Sequence, residues 1–228
     1  MYSNVDELLK NEITPDFQRQ IYYGVQNGTV IFKELLGDNI ELFGNSLSSN
    51  VLPRIMNFCI NRQFSPEIYI SKNGFISYVK NVNCFGQKIV VLENENLILH
   101  VAKVQRGSKL PSEAKYKKAL AQNNTFADGQ MQMDLWNKDS NKINDISNYG
   151  IISYSLTKDF NVESIFLVIP NTTFDGYIGD IDIMSEVEKI KSVDTDKQNE
   201  KTLITLKEKV KEDIKEQQEK KIVELKWN

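Results

Sequence analysis

Apolar residues along the first sixty positions recur at steps of three and four, the repeat that lines one face of a helix. Phe17, Ile21 and Val25 follow Thr14-Pro15, an N-cap residue with proline at the first helical position. Gly28 reads as the end of that helix, and residues 29–36 as a second one closed by Gly37. Ser48 or Ser49 is placed to cap a third, whose apolar stripe is Val51, Leu52, Ile55, Met56, Cys59 and Ile60. Pro53 falls in its first turn, where proline is tolerated.

Past Ser65-Pro66 the pattern becomes short β-branched and aromatic runs, which predicts strands over 67–71, 75–82, 88–92 and 96–104. Lys72-Asn73-Gly74 and Glu93-Asn94-Glu95 supply turns between them. Pro111 opens a helix reaching about Asn123, and residues 131–136 are expected to be extended. Two further strands, 149–156 and 163–169, flank the turn at 158–161.

From Ser185 onward Lys, Glu, Asp and Gln dominate. Asp194 or Thr195 caps a predicted helix to about Lys226, with Leu203, Leu206, Val210 and Ile214 on one stripe. Such a narrow stripe suits a helix docked on its own domain, a homo-oligomer contact through residues 198–225, or a frayed tail. The fold class expected is α+β. It has N-terminal helices, a mainly antiparallel sheet of about five to six strands with a helix after the fourth, and a long charged C-terminal helix. Residues 1–190 form one domain (1–64 helical, 65–183 sheet), followed by the helix at 194–228.

With 228 residues, 40% of them hydrophobic, the chain can bury a core without metals or disulfides. Cys59 and Cys84 read as two buried thiols, with a single bridge between them as the alternative. No window approaches the roughly 18 apolar residues of a membrane span, and the acidic N-terminus is unlike a signal peptide. The expected location is the cytoplasm, without membrane contact. Abundant Lys, Asn and Ile beside four arginines (Arg19, Arg54, Arg62, Arg106) point to an AT-rich bacterial or phage genome.

The single histidine, His100, removes every two-histidine metal site. Neither a Gly-x-Ser-x-Gly elbow nor a Gly-x-Gly-x-x-Gly or Walker loop is present. The expectation is a non-enzymatic binding protein with no cofactor and no metal. Charge locates its surface. The whole chain carries a net charge of −3, yet Lys103, Arg106, Lys109, Lys115, Lys117 and Lys118 crowd one segment against Glu113 alone. A strand, a glycine turn and a helix N-terminus lie within it, and free N–H groups there favour anions. Lys103, Gln105, Arg106, Ser108, Lys109 and Lys115 are the candidate ligand-binding residues, for nucleic acid or an acidic protein partner. The plain alternative is a solvated face of an amphipathic helix. Asp175, Asp180 and Asp182 form a weaker cluster, suited either to Mg²⁺ or to a polar turn entering an edge strand.

Residues 49–156, read as helix, three strands, helix and strand, look similar to the core of the PD-(D/E)xK nucleases. That family places an acid on its second strand and Glu-x-Lys on its third. Here the third strand reads His100-Val101-Ala102-Lys103, so Lys103 matches the family lysine and Val101 stands where the glutamate belongs. Glu93 and Glu95 fall in the preceding turn. The resemblance implies a degenerate nuclease, with His100 as a further candidate.

Overall fold

The computed structural model describes residues 2, 4–71, 74–82, 86–124 and 147–189. Contacts divide the chain into Met1–Val187 and Glu188–Asn228, and the fold described is that of the first unit. The predicted C-terminal helix, the extended segment at 131–136 and Cys84 lie outside the described residues.

Four helices come first: α1 (Val5–Glu12), α2 (Pro15–Asp38), the single turn α3 (Ile40–Phe43) and α4 (Leu52–Arg62), with a 3₁₀ turn at Ser46–Asn50 before α4. Thr14 caps α2 as its sequence suggests, Oγ1 accepting from Phe17 N–H, and Pro15 opens the helix. Gly28 does not end α2, which continues unbroken to Asp38. A Cβ at Gly28 would lie 2.5 Å from Ile60 Cα, and one at Gly24 would lie 2.6 Å from the Phe64 ring. The two glycines, one turn apart, let α4 and the chain beyond it press against the α2 backbone. That close approach, and not a break, is what they provide.

Among the described residues six strands follow: β1 (Ile76–Asn81), β2 (Lys88–Glu93), β3 (Leu97–Lys103), β4 (Asn148–Leu156), β5 (Val162–Pro170) and β6 (Tyr177–Asp182). They form one mixed sheet in the order β1-β2-β3-β4-β5-β6, antiparallel except for β3 beside β4. The α+β class is therefore correct. The predicted strand at 67–71 does not form, because Ile68 and Tyr69 N–H turn back onto Ser65 C=O. As a result helix α5 (Lys115–Ala121) follows the third strand, not the fourth. β6 is the edge strand that the polar turn around Asp175 enters, and α1 precedes the first helix expected.

Alternation sorts β3 into two faces. Leu97, Leu99 and Val101 join the main core with Phe17, Ile21 and Val25 of α2 and Met56 and Ile60 of α4. Ile98 and Ala102 face a smaller core with Ala121 of α5, Tyr149, Ile151 and Phe174. The N-terminal helices thus cover one face of the sheet, and α5 covers part of the other. Cys59 is a buried free thiol in the main core. Among the described residues no helix is long and apolar enough to cross a membrane.

Candidate functional site

The sheet is not evenly closed. β1 and β2 stay paired through Asn81 opposite Lys88. β2 and β3 pair only from Glu93 opposite Ile98 to Val91 opposite His100. β3 keeps its other partner, β4, through Lys103 opposite Tyr154. Beyond Val91 and His100, then, the β1–β2 hairpin leaves β3 and opens a fork. A cleft of about 790 Å³ lies there, lined from both faces of the sheet.

Helix α4 supplies one wall. Arg54, Phe58 and Arg62 stand four residues apart on one face, away from the buried Met56, Cys59 and Ile60. Phe58 is 63% exposed between the two arginines, although it is a large aromatic side chain. Asn57, on the same lining, accepts at Oδ1 from the Tyr154 hydroxyl at 3.0 Å, which ties α4 to β4. The strands add Lys88 from β2 and Lys103 from β3, both exposed. None of Arg54, Arg62, Lys88 and Lys103 is in an ion pair among the described residues. Glu67 is the one acid on the described lining, and the Ser65 hydroxyl beside it holds its carboxyl below the usual range.

On the α5 side the lining is more enclosed. His100 is 2% exposed, and its Nδ1 lies 2.8 Å from the Tyr149 hydroxyl, the two rings stacked. Burial, and next the charge of Lys117, push the imidazole down to about pH 3, so it is neutral near neutral pH. Lys117 is itself buried and donates through Nζ to Ser112 C=O at 2.7 Å, and desolvation lowers its pKa. Tyr116 meets His100 edge to face.

The six cations of the segment 103–118 do not gather in one place. Lys103 and Lys117 reach the cleft from opposite faces of the sheet. Arg106 pairs with Glu163 at 2.6 Å, Lys109 with Asp180 at 2.8 Å, and Lys118 with Glu113 at 2.7 Å. Lys109 Nζ also sits over the rings of Phe166 and Tyr177, and its bond to Asp180 raises its pKa. Ser108 donates to Leu110 C=O, Gln105 is exposed, and Lys115 is exposed at the start of α5. That helix opens at Lys115, four residues later than expected, with Ala114 at its N-cap and no side-chain cap. Residues 105–109 therefore do not stand at a helix N-terminus. The arginines that line the cleft carried a sequence signal: two of the chain's four lie eight apart and flank Phe58 on the polar side of an amphipathic helix.

The carboxylates lie elsewhere. Glu93 is in register with Ile98, five residues along β3 from Lys103, a separation of roughly 16 Å at the rise of a strand. It accepts a hydrogen bond from the Tyr78 hydroxyl, and Glu95 is exposed in the turn beyond. Asp175 accepts from Asn171 and Thr173, Asp180 pairs with Lys109, and Asp182 caps Ser185. Among the described residues no group of three His, Cys, Asp or Glu side chains could hold a metal ion. The element order inferred for residues 49–156 is the one found, with β4 parallel to β3. The acids that a nuclease of that pattern needs are not beside Lys103. No family model matches the chain, and neither does any curated protein or solved structure.

Proposed function

We propose that the chain is a non-enzymatic binding protein for single-stranded nucleic acid, held in the cleft between β2 and β3. One observation carries this reading: Arg54 and Arg62 flank the exposed ring of Phe58, and with Lys88 and Lys103 they line one cleft without ion-pair partners among the described residues. Unpaired guanidinium and ammonium groups attract phosphates, and an exposed ring offers a base a face on which to stack. The net charge of −3 does not oppose this, because a ligand responds to the local field. Nucleic acid is one of the two ligand classes expected from the charge pattern, the other being an acidic protein. The surface is different: of the six cations in residues 103–118 only Lys103 and Lys117 line the cleft.

The test is the salt dependence of binding to a labelled oligothymidylate. Four phosphate contacts predict a slope of log K against log salt of roughly −2.8, at about 0.7 per contact. Arg54→Glu with Lys103→Glu should abolish binding, whereas Lys115→Glu, outside the cleft, should leave it unchanged. Equal affinity in the charge-reversed double variant and the wild type would refute the assignment.

A further inference from the structure

The enclosed end of the cleft holds a polar atom whose chemical role can be worked out. Tyr149 is fully buried, and among the described residues its hydroxyl has one partner, His100 Nδ1. A buried hydroxyl places its hydrogen on an acceptor, so Tyr149 donates and Nδ1 accepts. In a neutral imidazole the remaining proton is then on Nε2. That N–H is buried and has no hydrogen-bond partner among the described residues. Folded proteins leave few such groups unsatisfied, since the lost hydration of each is not repaid. His100 lines the cleft, as do the neighbouring Tyr116, Lys117 and Ala102.

We infer that His100 Nε2–H donates to a phosphate oxygen of a nucleotide bound in the cleft, with Lys117 supplying charge beside it. This rests on the nucleic-acid reading above and narrows it. It makes the α5 side a phosphate subsite and the α4 side, around Phe58, the place for the base. The cleft's volume of about 790 Å³ lies in the range of sites that enclose small organic ligands. A neutral N–H donor beside a cation suits an anionic oxygen, and the buried Val90, Val101 and Ala102 keep the surroundings apolar, which strengthens the bond. The phosphate can belong to a strand or to a free nucleotide. Both present the same oxygen.

The chain has one histidine, so its ring nitrogens are an unambiguous probe. The full ¹⁵N-labelled chain is titrated with 5′-phosphorylated pentathymidylate, the same oligonucleotide without the 5′-phosphate, AMP and adenosine, and the His100 nitrogens are followed by NMR. A saturable shift of the Nε2–H signal with a phosphate-bearing probe, and none with adenosine, is the expected result. The oligonucleotides alone causing it identifies a strand as the source, and AMP causing it identifies a nucleotide. His100→Phe, checked for folding by circular dichroism, should bind the effective probe about tenfold more weakly. Salt-dependent oligonucleotide binding with both nitrogens unmoved overturns the role of His100 and leaves the cleft reading standing. An adenosine shift equal to that of AMP overturns the phosphate assignment. Absence of binding by every probe at low salt, or binding of polyglutamate in place of nucleotides, overturns both.

Discussion

Acidification from about pH 7 to about pH 4.5 should weaken the fold through His100 more than through any other base. The unfolded chain's histidine takes up a proton near pH 6.5, whereas in the fold burial, and then the charge of Lys117, hold His100 down to about 3. Between those values the unfolded state binds one more proton than the native state. The stability contributed by the neutral ring is therefore complete above about pH 6.5 and is lost as pH falls toward about 3. Two pH units at roughly 1.36 kcal/mol each give a loss of about 2.7 kcal/mol at pH 4.5. Against a typical total of about 5–15 kcal/mol that is readily measured. Urea unfolding followed by far-ultraviolet circular dichroism at both pH values measures it, in the wild type and in His100→Gln. The glutamine carbonyl can still accept from the Tyr149 hydroxyl, and titrating carboxylates contribute equally to both proteins. The wild type should lose about 2.7 kcal/mol more than the variant. Equal losses would show that His100 takes up its proton in the fold as readily as in the unfolded chain, and that burial does not hold the ring neutral at pH 4.5.

Two substitutions test the packing that holds the cleft in place. Gly28→Ala should destabilise by about 2 kcal/mol or more, because its Cβ would meet the Ile60 backbone at 2.5 Å, while Gly37→Ala in the same helix has nothing within 4 Å and should stabilise by about 0.5–1 kcal/mol. Thermal melts of the two variants should move in opposite directions. Asn124→Ala should cost about 3 kcal/mol in a urea titration, since the fully buried amide donates to Tyr149 C=O and Pro170 C=O and accepts from Tyr149 N–H, leaving three backbone groups unsatisfied when it is removed.

Periodicity made the helices and most strands legible, because burial on one face requires it. Phe17, Ile21 and Val25 are fully buried where the four-residue repeat put them. Gly28 is ambiguous in sequence for a physical reason: a helix-breaking glycine and a glycine that admits a neighbouring helix are the same letter, and Ile60, thirty-two residues away, tells them apart. The strand expected at 67–71 failed because Ser65 C=O captures two of its N–H groups locally, a competition invisible to alternation. The basic segment was legible as charge but not as place. Glu163 and Asp180, which neutralise Arg106 and Lys109, are fifty-seven and seventy-one residues distant and arrive only through the β4–β5–β6 meander. Conversely, the cleft draws its cations from α4, β2, β3 and α5, so no window of sequence shows them together.

Charge opposes closing of the fork. If β2 and β3 kept the register that sets Val91 opposite His100, Val90 would meet Val101 and Lys88 would meet Lys103. Like charges directly opposite on one face of a sheet repel, their Cβ atoms only about 4.5–5.5 Å apart. The pairing stops short of that point. An anion between the two ammonium groups would reverse the sign of their interaction. The same lysines that oppose closing of the strands in the free protein would then favour drawing them together around a phosphate. Ligand binding should for this reason slow amide exchange at residues 88–90 and 101–103 beyond what contact alone produces. Exchange rates there that are unchanged at saturating oligonucleotide would mean that charge repulsion is not what holds the fork apart.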